Sequence, residues 1–326
     1  MPDAGSGEQG TRARDYADAL GDRHDGILTE EDRRRLRNAT VCAAGAGGTG
    51  GWTCEALARA GCGRIRIADP DVFSASNGNR QLGCDATTLG RNKAEATAER
   101  LRRVNPAVDV EVVAEGVTAA NLDRFLAGAD LVLDGIDLPG LRMKARMYDA
   151  ARAAGLPVVS CPILGFGAAL AIFDPKRSPS FEEYFGPLPP EGDARALDRY
   201  LAGVSLRFFA FTPRLDWRRH LERGRAGAIP SIGTAAMLSG TMAATAAIAL
   251  LCGRGGLPVV PVTLHLDLAA GRLRRRGPAE RWVLRRLLGV LQRVAPDAAA
   301  AGVACEQDEP GRFHRLLRHR AAWSTG

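Results

Sequence analysis

The sequence predicts a doubly wound, Rossmann-like α/β fold, with a mainly parallel sheet between two layers of helices and a C-terminal antiparallel extension. From residue 40 to residue 160, short apolar segments alternate with longer segments of helical period, joined by short connections. A glycine-rich loop directly follows the first apolar segment. Because such crossovers are right-handed, the carboxyl ends of the strands meet at one edge, where ligands bind in sheets of this kind.

Each element of this alternation can be placed from the sequence. Residues 1–25 are polar and lack periodicity, which predicts an N-terminal arm, and Thr29 before three acids predicts the N-cap of a first helix. The alternation predicts strands at 40–44, 64–68, 108–113, 130–134 and 157–160 and helices at 50–60, 92–103, 119–127 and 140–154.

The pattern changes after residue 161. Residues 168–174 predict a strand, and the segment 175–230 is too long for an ordinary connection, so we expect it to be a crossover that determines substrate choice. Residues 231–253 carry no charge and are rich in small side chains, which favours a tightly buried helix over a membrane span. A last strand pair is expected at 259–268 and 272–275.

Composition and charge limit the class of protein. The chain has 326 residues, 46% hydrophobic and 25% charged, and its net charge of +7 equals the excess of twelve arginines over five acids between residues 272 and 320. The sequence thus predicts one large domain at 26–271 with a basic C-terminal tail at 272–326, and no nucleic-acid partner for the domain. No secretory signal is apparent and the seven cysteines form no C-x-x-C pair, so we expect a cytoplasmic protein without zinc.

The glycine-rich loop indicates a nucleotide site. It reads Gly45-Ala-Gly47-Gly48-Thr-Gly50 between a strand and a helix, so backbone N–H groups and the positive end of the helix can meet a phosphate. Asp69 ends the second strand, where a carboxylate can accept hydrogen bonds from ribose hydroxyls. Up to this point NAD and ATP fit equally well.

Two cations favour a nucleoside triphosphate. Arg80 and Lys93 follow the second strand, and a dehydrogenase has no use for two cations over its nucleotide. The β and γ phosphates of ATP need such charges.

Together these motifs resemble the ThiF/MoeB/HesA family, the bacterial relatives of ubiquitin-activating enzymes. The resemblance covers about residues 20–175, with further similarity at 230–251. It includes G-x-G-G-x-G, then D-x-D at 69–71, S-N-x-x-R-Q at 76–81, a lysine at 93, and a strand that ends near Asp137. It implies ATP-dependent adenylation of a carboxylate, often the C-terminal glycine of a small protein, by a homodimer.

The resemblance also implies a role for each matching residue. The nucleotide would be held by Gly45, Gly47, Gly48, Gly50, Asp69, Asp71, Asn77, Arg80, Gln81 and Lys93. Asp137 would hold Mg²⁺, whereas we expect Asp134 to be structural. Arg23 matches an upstream arginine that reaches the phosphates bound by the partner subunit. Arg80, Lys93, Asp137 and Arg23 are therefore the predicted catalytic residues, because charge builds on the phosphates and no general base is needed.

This sequence departs from the family pattern at three places. The two C-x-x-C pairs of many relatives are absent, and Leu138 stands where an asparagine commonly follows the metal-binding aspartate. No cysteine lies between residues 162 and 251, and we expect Cys161 to be buried, so the acyl group would pass to an external nucleophile. The sequence leaves open a peptide, a ubiquitin-like protein or a small carboxylic acid as substrate, and, as other classes, an NAD-dependent oxidoreductase or a non-catalytic partner subunit.

Overall fold

The computed structural model describes residues 16, 19–137, 140–193, 196–197, 200, 204, 223 and 230–277. The strands are β1 (Thr40–Ala44), β2 (Arg64–Ala68), β3 (Asp109–Val113), β4 (Leu131–Asp134), β5 (Val158–Ser160), β6 (Ile163–Leu164), β7 (Gly167–Phe173), β8 (Thr263–Asp267) and β9 (Arg272–Arg276). The helices are α1 (Glu30–Asn38), α2 (Gly50–Arg59), α3 (Lys93–Val104), α4 (Leu122–Leu126), α5 (Leu141–Ala153), α6 (Phe181–Phe185) and α7 (Gly233–Leu251).

In this part of the chain the strands form a single sheet in the order β3-β2-β1-β4-β5-β7-β8-β9, and β6 pairs with β7. The first five strands in this order run parallel, while β7, β8 and β9 are antiparallel to their neighbours. This confirms the predicted fold class. The topology places the carboxyl ends of β1, β2 and β4 next to one another.

Both faces of the sheet are covered, as the alternation of side chains along β1 shows. Val41 and Ala43 belong to the core that includes residues of α2, α3 and α7, and Cys42 and Ala44 belong to the core that includes residues of α4, α5 and α6. Because successive side chains of a strand point to opposite faces, a fully apolar strand is required between two helical layers.

Helix α7 is long and apolar enough to cross a bilayer, and it is the only such helix in the described part of the chain. Here it packs against α2 and β7. A Cβ atom at Gly240 would collide with Trp52 of α2, and the Ser239 hydroxyl donates a hydrogen bond to the Cys161 carbonyl. The small side chains thus allow close helix packing, as the sequence predicted.

The beginning of the crossover segment is anchored by an aromatic cluster. Helix α6 starts with a capping box at Ser180 and buries three rings against α5 and β7. The cluster consists of Tyr148, Phe173, Phe181, Tyr184 and Phe185, with neighbouring ring centroids 4.7–6.0 Å apart.

Four details differ from the sequence-based expectation. Helix α4 covers only five of the residues predicted for it, β8 begins at Thr263 because Pro261 has no N–H to donate to a sheet, and the two-residue strand β6 was not predicted. Strand β9 pairs with β8 across Arg272–Arg276, so the sheet includes the first residues assigned to the basic tail. The rest of the tail, most of the N-terminal arm and most of residues 194–229 lie outside the described residues.

Candidate active site

The glycine loop between β1 and α2 has a shape that only glycine allows. Gly45 has φ +112°, and a Cβ atom there would lie 2.6 Å from the Gly135 carbonyl oxygen. A Cβ atom at Gly50 would overlap the Gly45 carbonyl. The N-cap Thr49 makes no side-chain cap, and although the Gly51 N–H donates to the Gly47 carbonyl at 3.1 Å, the Gly50 N–H at the start of α2 remains available to an anion.

Asp69 ties this loop to the chain that follows β2. One carboxylate oxygen accepts a hydrogen bond from the Ala46 N–H at 2.8 Å and the other accepts one from the Asp71 N–H at 3.0 Å. Burial raises the pKa of Asp69. Each oxygen retains a lone pair, so the carboxylate can still accept hydrogen bonds from a ribose.

Lys93, the first residue of α3, lies beside the same turn. Its Nζ is 2.8 Å from a carboxylate oxygen of Asp71. The lysine side chain is only 9% exposed, whereas that of Asp71 is 65% exposed. The ammonium group is thus held in place by a partner that water already reaches, and a phosphate can compete for it.

The S-N-x-x-R-Q stretch faces the glycine loop. A Cβ atom at Gly48 would lie 3.9 Å from Cγ of Arg80, and one at Gly47 would lie 3.6 Å from Nε2 of Gln81. The Gln81 amide is buried, and its Oε1 has no hydrogen-bond partner among the described residues. Asn77 stabilises the turn to which it belongs, because its Oδ1 accepts a hydrogen bond from the Ser74 N–H at 3.0 Å.

The two aspartates after β4 have different environments. Asp134 is fully buried, and one of its oxygens accepts hydrogen bonds from Tyr148 at 2.7 Å and Ser160 at 2.8 Å and lies 2.7 Å from the Lys144 Nζ. This agrees with the structural role predicted for Asp134. Within the described residues, the carboxylate of Asp137 makes no hydrogen bond or ion pair, which leaves it free for a ligand.

The pKa of Asp137 responds to charged side chains from several elements of the fold. Solvent reaches the Asp137 side chain, yet the protein around it displaces much of the bulk water, and this desolvation raises its pKa. Lys144, Lys93 and Arg80 oppose that shift and Asp71 adds to it. Side chains that follow β2 and β4 therefore meet at the carboxyl edge of the sheet, next to the glycine loop.

The structure does not bring Arg23 to this site. Arg23 is exposed in the turn Asp22–His24, just before α1. Arg254 bonds the carbonyl of the nearby Ile27 at 2.7 Å, so this turn lies near the C-terminal end of α7. The other end of α7 packs at Asn79, and its 19 residues span about 28 Å.

Three residues near the site were missed in the sequence. Lys144 neutralises Asp134 and donates to the Ile136 carbonyl at 3.1 Å, directly before Asp137. Asn79 and Trp52 both contact Arg80. The sequence signal for Lys144 was its position ten residues after Asp134 in a predicted helix, where a long side chain can reach back to the strand end.

No thiol in the described residues is placed for catalysis. Cys161 is buried, and burial raises its pKa to about 12, as expected for a packing residue. The five other cysteines of the described part are also buried and free. No group of three or more His, Cys, Asp or Glu side chains that could hold a metal occurs there.

Comparison with known proteins identifies the family to which the chain is similar. The model of the ThiF family matches residues 22–281. A tRNA threonylcarbamoyladenosine dehydratase of Haemophilus influenzae is 38% identical over 112 residues, which are 34% of this chain and 43% of that protein. The adenylyltransferase and sulfurtransferase UBA4 of Yarrowia lipolytica is 35% identical over 159 residues, 49% of this chain and 39% of the relative.

Among solved structures, Escherichia coli MccB crystallised with AMPCPP and MccA superposes with a TM-score of 0.56. It is 16% identical, and the match covers 76% of this chain and 66% of MccB. This likeness shows the fold. The chain spans half or less of the length of the two curated relatives described here.

Proposed function

This chain belongs to the ThiF family, and we propose that it is an ATP-dependent adenylyltransferase that converts a carboxylate into an acyl-adenylate and releases pyrophosphate. The observation that carries the proposal is the placement of two cations near the glycine loop: Arg80 lies beside Gly48, and Lys93 binds Asp71 in the turn that Asp69 joins to the same loop. This combination suits a triphosphate better than a dinucleotide, which needs fewer cations.

In the proposed reaction a carboxylate oxygen attacks the α-phosphorus of ATP, and the bond to the bridging oxygen of pyrophosphate breaks. No proton is transferred, so no general base is required. The N–H groups of the glycine loop and of α2 donate hydrogen bonds to phosphate oxygens, and the Asp69 carboxylate accepts hydrogen bonds from the ribose hydroxyls. Arg80 and Lys93 offset the charge that builds on the leaving pyrophosphate, with Lys93 exchanging Asp71 for a phosphate oxygen.

Asp137 fits a role in holding Mg²⁺. Mg²⁺ in nucleotide sites is commonly held by one or two carboxylates together with substrate phosphates, and Asp137 offers one unengaged carboxylate. When bound, the ion would supply positive charge at the phosphate oxygens.

We propose that the substrate carboxylate is the C-terminus of a peptide or small protein, with a small carboxylic acid as the alternative. The similarity to UBA4 and the likeness to the MccB structure with MccA support the larger substrate. The acceptor would be an external nucleophile, because Cys161 is buried. We further propose a cytoplasmic homodimer without zinc, membrane span or nucleic-acid partner, in which Arg23 acts on the partner's nucleotide.

The proposal is tested by ATP–pyrophosphate exchange against a panel of ubiquitin-like proteins, peptides and small carboxylic acids. We expect exchange to depend on one class of carboxylate and on both Arg80 and Lys93. A thermal shift with NAD but none with ATP would indicate an oxidoreductase instead. Failure to bind either nucleotide would indicate a non-catalytic subunit. Elemental analysis of the purified protein tests the absence of zinc.

A further inference from the structure

Asn79 connects two parts of the site that are 152 residues apart in sequence. Its Nδ2 donates a hydrogen bond to the Ser231 carbonyl at 3.0 Å, and its Oδ1 accepts one from Nη1 of Arg80 at 2.9 Å. Ser231 lies just after the crossover segment and two residues before α7. One amide side chain therefore joins the phosphate-binding arginine to the end of the segment expected to determine substrate choice.

The surrounding packing keeps this connection short. A Cβ atom at Gly233, the first residue of α7, would overlap the Asn79 carbonyl oxygen. On the other side, Nε1 of Trp52 donates to the Arg80 carbonyl at 3.0 Å, and Trp52 itself packs against Gly240 of α7. The main chain at 79–80 is thus held between α2 and α7, so a displacement of the start of α7 would be transmitted to Arg80.

The guanidinium group of Arg80 also depends on this loop for its direction. Nη1 donates to two acceptors, the Ser76 carbonyl at 2.9 Å and Oδ1 of Asn79. An amide is suited to the bridging position, because it offers a donor to Ser231 and an acceptor to Arg80 at once. An alanine offers neither, and an aspartate would lose the donor.

We propose that Asn79 is a positioning residue that acts through Arg80, coupling the end of the crossover segment to the nucleotide phosphates. The proposal deepens the proposed function, on which it rests, because it takes ATP as the ligand of Arg80. A displacement of the chain at Ser231 would then adjust the arginine that stabilises the phosphates. Conversely, ATP would restrain the chain at Ser231.

The first test is a double-mutant cycle on the full chain, with the Kd for ATP in the presence of Mg²⁺ measured by calorimetry. Asn79→Ala leaves the arginine without one of its two acceptors, and we expect ATP to bind about fivefold more weakly, about 1 kcal/mol. Arg80→Ala should weaken binding further. In the Arg80→Ala background, Asn79→Ala should have no further effect, because it acts only through the arginine.

A matched control separates positioning from a loss of stability. Asn105 also bridges two main-chain groups, the Ala58 carbonyl and the Ala107 N–H, at the amino-terminal edge of the sheet. Asn105→Ala should lower the melting temperature without changing the Kd for ATP. An Asn79→Ala variant with wild-type affinity, or with an effect that adds fully to that of Arg80→Ala, would overturn the proposal.

Hydrogen exchange measures the coupling in the other direction. In the wild type, we expect saturating ATP to slow amide exchange severalfold in peptides that cover residues 230–237. In Asn79→Ala, at ATP concentrations that also saturate the variant, this protection should be largely lost. Equal protection in both proteins would refute the link to Ser231. A wild type that binds no ATP would refute the proposed function itself, whereas additive effects in the cycle would refute only the role of Asn79.

Discussion

Replacing Lys144 by methionine should lower the free energy of unfolding, because it removes one partner of the buried ion pair between Lys144 and Asp134. The Asp134 side chain has no solvent exposure, and Lys144, 18% exposed, supplies its only counter-charge within hydrogen-bonding distance in the described part of the chain. Lys144→Met keeps the length and apolar stem of the side chain but leaves a buried carboxylate without compensation. Breaking such a pair from one side typically costs 3–5 kcal/mol.

Asp134 keeps three other donors, namely Tyr148, Ser160 and the Ile136 N–H, so we place the expected loss at the lower limit, about 3 kcal/mol. For a chain of 326 residues that corresponds to a fall in melting temperature of about 4 °C. Urea denaturation followed by circular dichroism measures the free energy of unfolding directly. The variant also removes the hydrogen bond from Lys144 to the Ile136 carbonyl, directly before Asp137. We therefore expect pyrophosphate exchange to fall together with the free energy of unfolding.

Two further variants make this prediction decisive. Lys176 is exposed, and Lys176→Met should change stability by less than about 0.5 kcal/mol, which controls for removing a lysine. Asp134→Asn combined with Lys144→Met removes both charges, and it should lose less stability than the sum of the two single variants. A loss below about 1 kcal/mol for Lys144→Met, as at an exposed ion pair, would refute the reasoning.

Three other outcomes are expected. Arg80→Ala and Asp137→Ala should each lower substrate-dependent pyrophosphate exchange about 100- to 1,000-fold with an unchanged circular dichroism spectrum; near wild-type exchange in either would remove that residue from the mechanism. Burial lowers the pKa of His265 from 6.5 to about 3, so its neutral form is favoured in the fold and stability falls as the pH drops below 6.5. Between pH 7 and pH 5 this loss should be about 2 kcal/mol, and it should be absent in His265→Gln, as unfolding curves at the two pH values would show. If Arg23 acts across a dimer, co-refolding Arg23→Ala with Asp137→Ala should restore about a quarter of wild-type exchange, because half of the dimers are mixed and each holds one intact site; no recovery in mixed dimers confirmed by native mass spectrometry would place Arg23 outside the partner's site.

The sheet could be predicted closely because its signals are local. Five apolar segments of two-sided burial and the helices between them fall within a few residues of their predicted positions. Strand β6 was missed because two residues are too few to show an alternation of apolar and polar side chains. The strand forms by pairing with β7. Tertiary pairing, which no sequence window contains, decides such short elements.

The site was predictable in its motif residues and not in their supports. The glycine loop and Asp69 follow the ends of predicted strands, and Lys93 lies at the start of a predicted helix. Both kinds of position lie at the carboxyl edge of a parallel sheet, so topology alone brings them to the same edge. Nothing in the sequence around Lys144 or Asn79 indicates why a lysine or an asparagine is needed at that position. Their roles depend on reaching Asp134 and Ser231, and that requires the distances between elements that only the folded chain defines.

The described residues at the two ends of the crossover segment are firmly anchored. The segment begins at the aromatic cluster around Phe173 and ends at the bond between Asn79 and Ser231, and both anchors belong to the sheet and its helices. Since the entropy of closing a loop grows only by about 0.6 kcal/mol for each doubling of its length, insertions between the anchors cost the fold little. We therefore expect related chains to differ more in length between these two anchors than within the sheet.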